Sequence, residues 1–279
     1  MSTLSNIRDA LEARSARVSF RVKLALVWIL IFIVLAVIFA AFQFNTAFML
    51  EWLPFLLAGV PLTILICVLG ILLAVPLALL GALGRLSNNP VFYGLSGFYV
   101  SFIRGTPLIV QIFFIYLGLP QLAQYAPGPL QNVFILGTVT SGVLALGINY
   151  GAYIAEIFRA GIQSVGHGQV EAAQALGMTR TQTMRRIVFP QAVRVIIPPT
   201  GNEFIAMIKD SSLLGLVGAQ ELFFRASKIG RQYFQNLETL VVAAIIYWIL
   251  TSIFSYFQGR LERRLSRGYV REGGGPHGH

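Results

Sequence analysis

The chain is poor in reactive and charged side chains. It has one cysteine and three histidines, and only 11% of its 279 residues are Asp, Glu, Lys or Arg. The single Cys67 excludes an intrachain disulfide and any cluster of thiolate ligands. His167, His277 and His279 all fall outside the apolar runs, and no paired catalytic carboxylates or metal-ligand clusters occur within them, which argues against an intramembrane enzyme. No G-x-x-x-x-G-K-[ST] loop is present, so the chain lacks its own phosphate-cradling ATPase motif. Acidic residues are scarce as well, 11 against 21 Lys and Arg, leaving a net charge of +10. A nucleic-acid partner is not implied, because the basic residues flank apolar runs instead of studding one aromatic face. Anchoring beside anionic lipid explains them.

What the chain does have is apolar surface: 56% of residues are hydrophobic and the mean hydropathy is +0.72, values that belong in a bilayer. Residues 24–42, LALVWILIFIVLAVIFAAF, hold no polar side chain, close to the roughly 20 residues that one helix needs to cross the hydrocarbon. A secretory signal core would be shorter and followed by a small-residue cleavage site, and AAFQFNTAFML is a poor one.

Further apolar runs at 52–83, 106–125, 133–158, 190–208 and 239–257 bring the expected crossings to six. The run at 52–83 is longer than one crossing needs and holds Pro54, Pro61 and Pro76, so it is read as a single tilted or kinked span. Basic residues concentrate at 8–23, 180–186 and 260–271, against Arg225, Lys228 and Arg231 on the opposite side, which predicts an N-in, C-in orientation. Residues 1–23 are expected to form a cytoplasmic segment, 24–44 an additional transmembrane helix, and 266–279 a flexible cytoplasmic tail.

Between two of these runs lies the cytoplasmic stretch VEAAQALGMTRTQTMRRIVFPQA, residues 170–192. EAAQAL favours helix, and the small Ala172, Ala173 and Ala175 allow close approach by another surface. Gly177 suits the left-handed position that ends a helix. Thr179 with Gln182 fits a capping box that would start a second helix carrying Arg180, Arg185 and Arg186. Read from composition, the stretch is either a helical loop packed on its own spans or a compact knob presented to a partner.

Glu171, Ala172, Ala173, Gly177, Ile187 and Pro190 resemble, at matching spacing, the EAA loop of permease subunits of bacterial ABC importers. The resemblance extends to SFIRGTPLIVQIFFIYLGLP (101–120), INYGAYIAEIFRAGIQSV (148–165) and GNEFIAMIKDSSLL (201–214), which look like the polar amino-acid branch of that family, and it covers residues 52–265. Two features depart from the pattern: many members have five spans, and Phe189 stands where the motif commonly has leucine. The resemblance implies an all-α polytopic fold of the type I importer permease kind, with residues 166–190 as a coupling loop that docks into a separate ATPase subunit. It also implies a second, identical or related permease subunit, a solute-binding protein, and a polar or charged amino acid as cargo. No cofactor or metal is expected in this chain; ATP and Mg²⁺ would sit on the ATPase partner. The expected location is the bacterial cytoplasmic membrane.

Ionisable residues within spans are costly and mark candidate pathway positions. Asn149, Tyr153 and Glu156 share one helix face, with Glu156 able either to meet cargo or to pair with Arg159. Asn202 and Glu203 follow Pro198, Pro199 and Gly201, where an interrupted helix is expected to free backbone groups. Lys209 and Asp210 could hold the two charges of an amino acid or pair with each other. Arg104 reads as a cytoplasmic-edge anchor. The segment 215–238 carries Arg225, Lys228 and Arg231, a surface for an acidic solute-binding protein or ordinary solvated helix faces. A gradient-driven secondary transporter is the alternative, but no internal repeat supports it.

Overall fold

The computed structural model describes residues 19–41, 44–128 and 131–265. The expected N-terminal segment as far as residue 18 and the tail from 266 lie outside them. Contacts divide the chain into two units that meet at Met49 and Leu50. The first contains α1 (Phe20–Ala41), whose described side chains are exposed on every side. A helix apolar all round is suited to lipid.

The second unit is all helical among the described residues. After α2 (Thr46–Leu57), α3 (Val60–Arg85) packs along α8 (Thr138–Gln163) as its principal partner. Their shared seam is lined by small residues, with Gly81 against Ala155 and Gly151 against Ala74 and Leu77, which lets the two backbones approach closely. Gly147 shows how closely: a Cβ there would lie 2.6 Å from the side chain of Leu73. Larger side chains, Ile66, Leu146, Ile154, Met207 and Leu214, fill the core on either side of the seam.

Between α3 and α8 the chain makes a sharp turn. Asn89 caps α4 (Pro90–Gly105) by accepting from Val91 N at 2.9 Å, and Pro90 fits the first helical turn, where no N–H is needed. At Thr106 and Pro107 the helix stops. It resumes as α5 (Leu108–Phe113), a π turn (Phe114–Gly118) and α6 (Leu119–Ala123), bent by 106° from α4. A short α7 (Gln131–Phe134) leads into α8. The run expected at 106–125 is therefore the second arm of a bent pair, with Pro107 and the extended backbone of Thr106 as the cause.

Beyond α8 come α9 (His167–Ala175), α10 (Arg180–Thr183), a π turn (Met184–Val188) and α11 (Phe189–Asp210). A 3-10 stretch (Ser211–Val217), α12 (Leu222–Tyr233) and α13 (Asn236–Leu265) complete the unit. The interruption expected after Pro198 and Pro199 does not occur: α11 runs through them. Side chains add bonds around the two prolines, with Gln258 of α13 donating to Pro198 O at 2.6 Å and Thr200 Oγ1 donating to Ile196 O at 2.8 Å.

By length and apolarity four helical stretches among the described residues qualify as crossings, and a fifth if the bent pair counts as one, against six expected. The difference is α11, whose 22 residues would reach roughly 33 Å. It is long enough to cross, but Arg194, Glu203, Lys209 and Asp210 lower its hydropathy.

Candidate functional site: a charged cavity and a cytoplasmic knob

Four helices build a cavity of about 510 Å³. The end of α4 and the break contribute Arg104, Gly105, Thr106, Pro107 and, from the start of α5, Leu108; α8 contributes Asn149, Tyr150 and Tyr153; α11 contributes Glu203, Ala206 and Asp210. Of the residues singled out in sequence, the structure thus brings Asn149, Tyr153, Glu203 and Asp210 to one place. It leaves Glu156, Asn202 and Lys209 off the cavity wall.

Glu156 sits one turn farther along α8 than Tyr153. Its Oε2 accepts from Arg159 Nη2 at 2.7 Å and Nε at 3.0 Å, and its Oε1 is 3.7 Å from Arg85 Nε. The carboxylate joins α3 to α8 near one end of both helices. Asp210 is held by the hydroxyl of Tyr150, which donates at 2.9 Å. Lys209, the next residue along the helix, is exposed, and no ion pair between it and Asp210 occurs among the described residues.

Arg104 is the residue that sequence reasoning placed differently. It lies in the cavity wall, its guanidinium 5.2 Å from the centre of the Tyr153 ring, a cation–π distance. The 106° bend turns the end of α4 toward α8 and α11, and no window over linear sequence registers that. Tyr150 was also missed, since it lies outside the stripe of Asn149, Tyr153 and Glu156. The wall therefore carries one cation, two carboxylates, an amide and two phenols, a set able to hold both charges of a zwitterion.

The knob at 167–190 has the local geometry that its residues prescribe. Gly177, at φ 77°, ends α9 in a Schellman motif: its N–H donates to Gln174 O at 2.9 Å, and Met178 N donates to Ala173 O at 3.1 Å. The capping box is complete, with Gln182 N donating to Thr179 Oγ1 at 3.3 Å and Thr179 N donating to Gln182 Oε1 at 2.8 Å. Glu171, Ala172, Gly177 and Pro190 are exposed, Ile187 is half-buried, and Ala173 packs inward. Leu176 at the tip is 84% exposed, an apolar side chain that EAAQALG contained but that sequence reasoning did not single out. The second helix of the knob does not end as a separate piece. It passes through the π turn into α11, so one helical path runs from Arg180 to Asp210 in the cavity wall.

On the far side, Arg225 is occupied within the fold. Its Nη1 donates to Phe55 O at 3.3 Å and its guanidinium stands 4.9 Å over the Phe55 ring. Lys228 and Arg231 remain exposed on α12, beside Phe234, which is 91% exposed at φ 57°.

A helical membrane body with a charged cavity and a basic, small-residue knob defines a transport permease, and similarity to known proteins agrees. Residues 69–267 match the family described as binding-protein-dependent transport system inner membrane component, and the chain belongs to that family. It is 38% identical to the probable amino-acid permease protein YxeN of Bacillus subtilis over 80% of this chain and 96% of that protein. It is 42% identical to the L-cystine transport system permease protein TcyB of the same organism over 77% and 88%. The glutamine transport system permease protein GlnP of Escherichia coli K12 is 35% identical over 80% and 98%. A solved structure described as an amino acid ABC transporter with histidines superposes with a TM-score of 0.70 at 37% identity, covering 77% of this chain and 96% of that one. The MetNI methionine ABC transporter, at 21% identity and a TM-score of 0.58, shares the fold.

Proposed function

We propose that this chain is half of the translocation path of an ATP-driven amino-acid importer in the bacterial cytoplasmic membrane. Two permease subunits, identical or related, enclose the path and switch access from one side to the other. The chain hydrolyses no ATP; ATP and Mg²⁺ belong to the ATPase partner, into which the knob docks through Glu171, Ala172, Gly177 and Pro190, with Ala173 and Ile187 shaping it from within. A solute-binding protein delivers cargo at the opposite face, near Lys228, Arg231 and Phe234. The observation that carries this reading is the unbroken helical path from the knob to the cavity, because it lets motion at the ATPase reach Glu203 and Asp210 directly.

The cavity is read as the cargo site, where Arg104 suits a carboxylate and Glu203 with Asp210 suits an ammonium group. The test is purification in mild detergent from the native membrane with identification of what stays bound. An ATP-binding subunit should accompany the wild type and be lost with Gly177→Pro, since proline cannot adopt a positive φ. Recovery of the chain alone, from membranes where it is active, would return the gradient-driven alternative.

A further inference from the structure

The bend between α4 and α5 poses a hydrogen-bonding problem. In an unbroken helix the carbonyl of Ile103 would accept from the N–H of residue 107. Residue 107 is proline and has no N–H. The missing donor is supplied from farther along the chain: Gln111 Nε2 lies 2.8 Å from Ile103 O. The same nitrogen reaches Thr106 Oγ1 at 2.8 Å and Thr106 O at 3.2 Å. Thr106 Oγ1 lies 3.0 Å from Phe102 O, to which it donates. The carbonyls of Phe102 and Ile103 thus find side-chain donors although the chain has turned through 106°.

The direction of the network is fixed by its ends. Carbonyl oxygens can only accept, so the Gln111 amide must turn its nitrogen toward Ile103 and Thr106 and its oxygen away from them. That oxygen accepts from Asn149 Nδ2 at 3.1 Å. Gln111 and Asn149 are both buried. One side chain therefore closes the end of α4 and fastens it to α8. These are two walls of the cavity, to which Arg104, Gly105, Thr106, Pro107 and Asn149 contribute but Gln111 does not.

We propose that Gln111 is a positioning residue for transport: it stands in for the N–H that Pro107 lacks and, through Asn149, holds the bend in register with α8. This rests on the reading of the cavity as the cargo site. Gln111 acts through Arg104, Thr106 and Asn149 and touches no cargo itself.

The experiment uses the full-length chain in two settings. Uptake of a labelled mixture of the twenty common amino acids is followed in cells carrying the complete transporter, and thermal unfolding is followed on the purified chain in lipid nanodiscs. Gln111→Met, which keeps length but removes donor and acceptor, should raise the half-saturation concentration for uptake about tenfold while leaving the maximal rate within about twofold. It should also lower the melting midpoint. In a Pro107→Ala background, which restores the backbone N–H, Gln111→Met should lower the midpoint by clearly less, since only the contacts with Thr106 and Asn149 remain to be lost. Asn149→Asp sets oxygen against oxygen at Gln111 and should raise the half-saturation concentration as much as Gln111→Met. An equal loss of midpoint with and without Pro107 would overturn the proposal. So would a Gln111→Met that melts early but takes up amino acids normally, or an Asn149→Asp with no effect. Glu203→Gln separates the two readings: if it raises the half-saturation concentration and Gln111→Met does not, only the role of Gln111 fails, whereas if neither does, the cavity is not the cargo site.

Discussion

Two helices of this chain, α1 and α8, are both long enough to cross a bilayer, yet they solve opposite problems. The best window of α1 has a mean hydropathy of 2.6 and none of it is buried by protein; that of α8 has 1.2 and 61% is buried. The more hydrophobic of the two is the one whose described side chains are all exposed. Lipid tails are as apolar as leucine, so apolarity gains a helix no protein partner inside a membrane; close backbone approach and satisfied polar groups do. Helix α8 spends its sequence on glycine, alanine, Asn149, Tyr150, Tyr153 and Glu156, and these are the residues that meet α3 and line the cavity. Hydropathy finds where the chain meets lipid, and its shortfall finds where the chain works.

The largest effect expected from this contrast is at Gly147. Leucine there would force its Cβ to 2.6 Å from Leu73, with Leu73 Cγ and Cβ at 2.8 and 2.9 Å, so no single rotamer change in Leu73 relieves the clash. Overpacking of this kind costs roughly 1–3 kcal/mol or more. Gly147→Leu should cut the yield of folded, monodisperse protein severely, whereas Ala36→Leu, which adds one carbon fewer on exposed α1, should leave it unchanged. Gel filtration of the two variants checks this, and equal yields would mean that the α3–α8 seam is looser than it looks.

A second, smaller contrast lies within the polar groups of the spans. Glu156 is spent on Arg159 and Arg85, while Glu203 faces the cavity. Glu156→Gln leaves two guanidinium groups without their counter-charge and should cost roughly 1–3 kcal/mol of stability, with little change in the half-saturation concentration for uptake. Glu203→Gln should do the reverse, raising that concentration about tenfold, equivalent to about 1.4 kcal/mol. A melting curve and an uptake curve on each variant separate the two roles, and identical behaviour would erase the distinction.

How far the sequence revealed this follows the range of the interactions. Gly177 and the Thr179–Gln182 box are set by residues within a turn or two of each other, so the knob was legible. Asn149 and Tyr153 were legible because helical spacing alone puts them on one face. Glu156 shares that face, but its fate depends on Arg85, which lies in another helix. Arg104 reads as an edge anchor until the 106° bend is known, and that angle depends on a glutamine later in the chain and an asparagine in another helix. The contact of Gln258 with Pro198, 60 residues earlier in another helix, is likewise out of reach of local sequence. Local chemistry was read correctly, and the contacts that redirect it were not.

The smallest effect is expected at α1, whose described side chains are all exposed. Relatives such as YxeN and GlnP are matched over 96% and 98% of their own lengths by only 80% of this chain, so a permease body of that extent is sufficient in those proteins. Helix α1 adds apolar surface with no polar side chain after Lys23, and its small residues offer one pair at helical spacing, Ala36 and Ala40, against the long glycine and alanine stripe of α8. Removal of residues 2–41 should therefore leave the half-saturation concentration and maximal rate of uptake within about twofold when normalised to the amount of protein in the membrane. The amount itself can fall, because the first apolar helix and its basic flank usually lead insertion. A normalised loss of tenfold or more would give α1 a part in transport itself, and the contrast with α8 would then lie in which partner each helix meets and not in whether it has one.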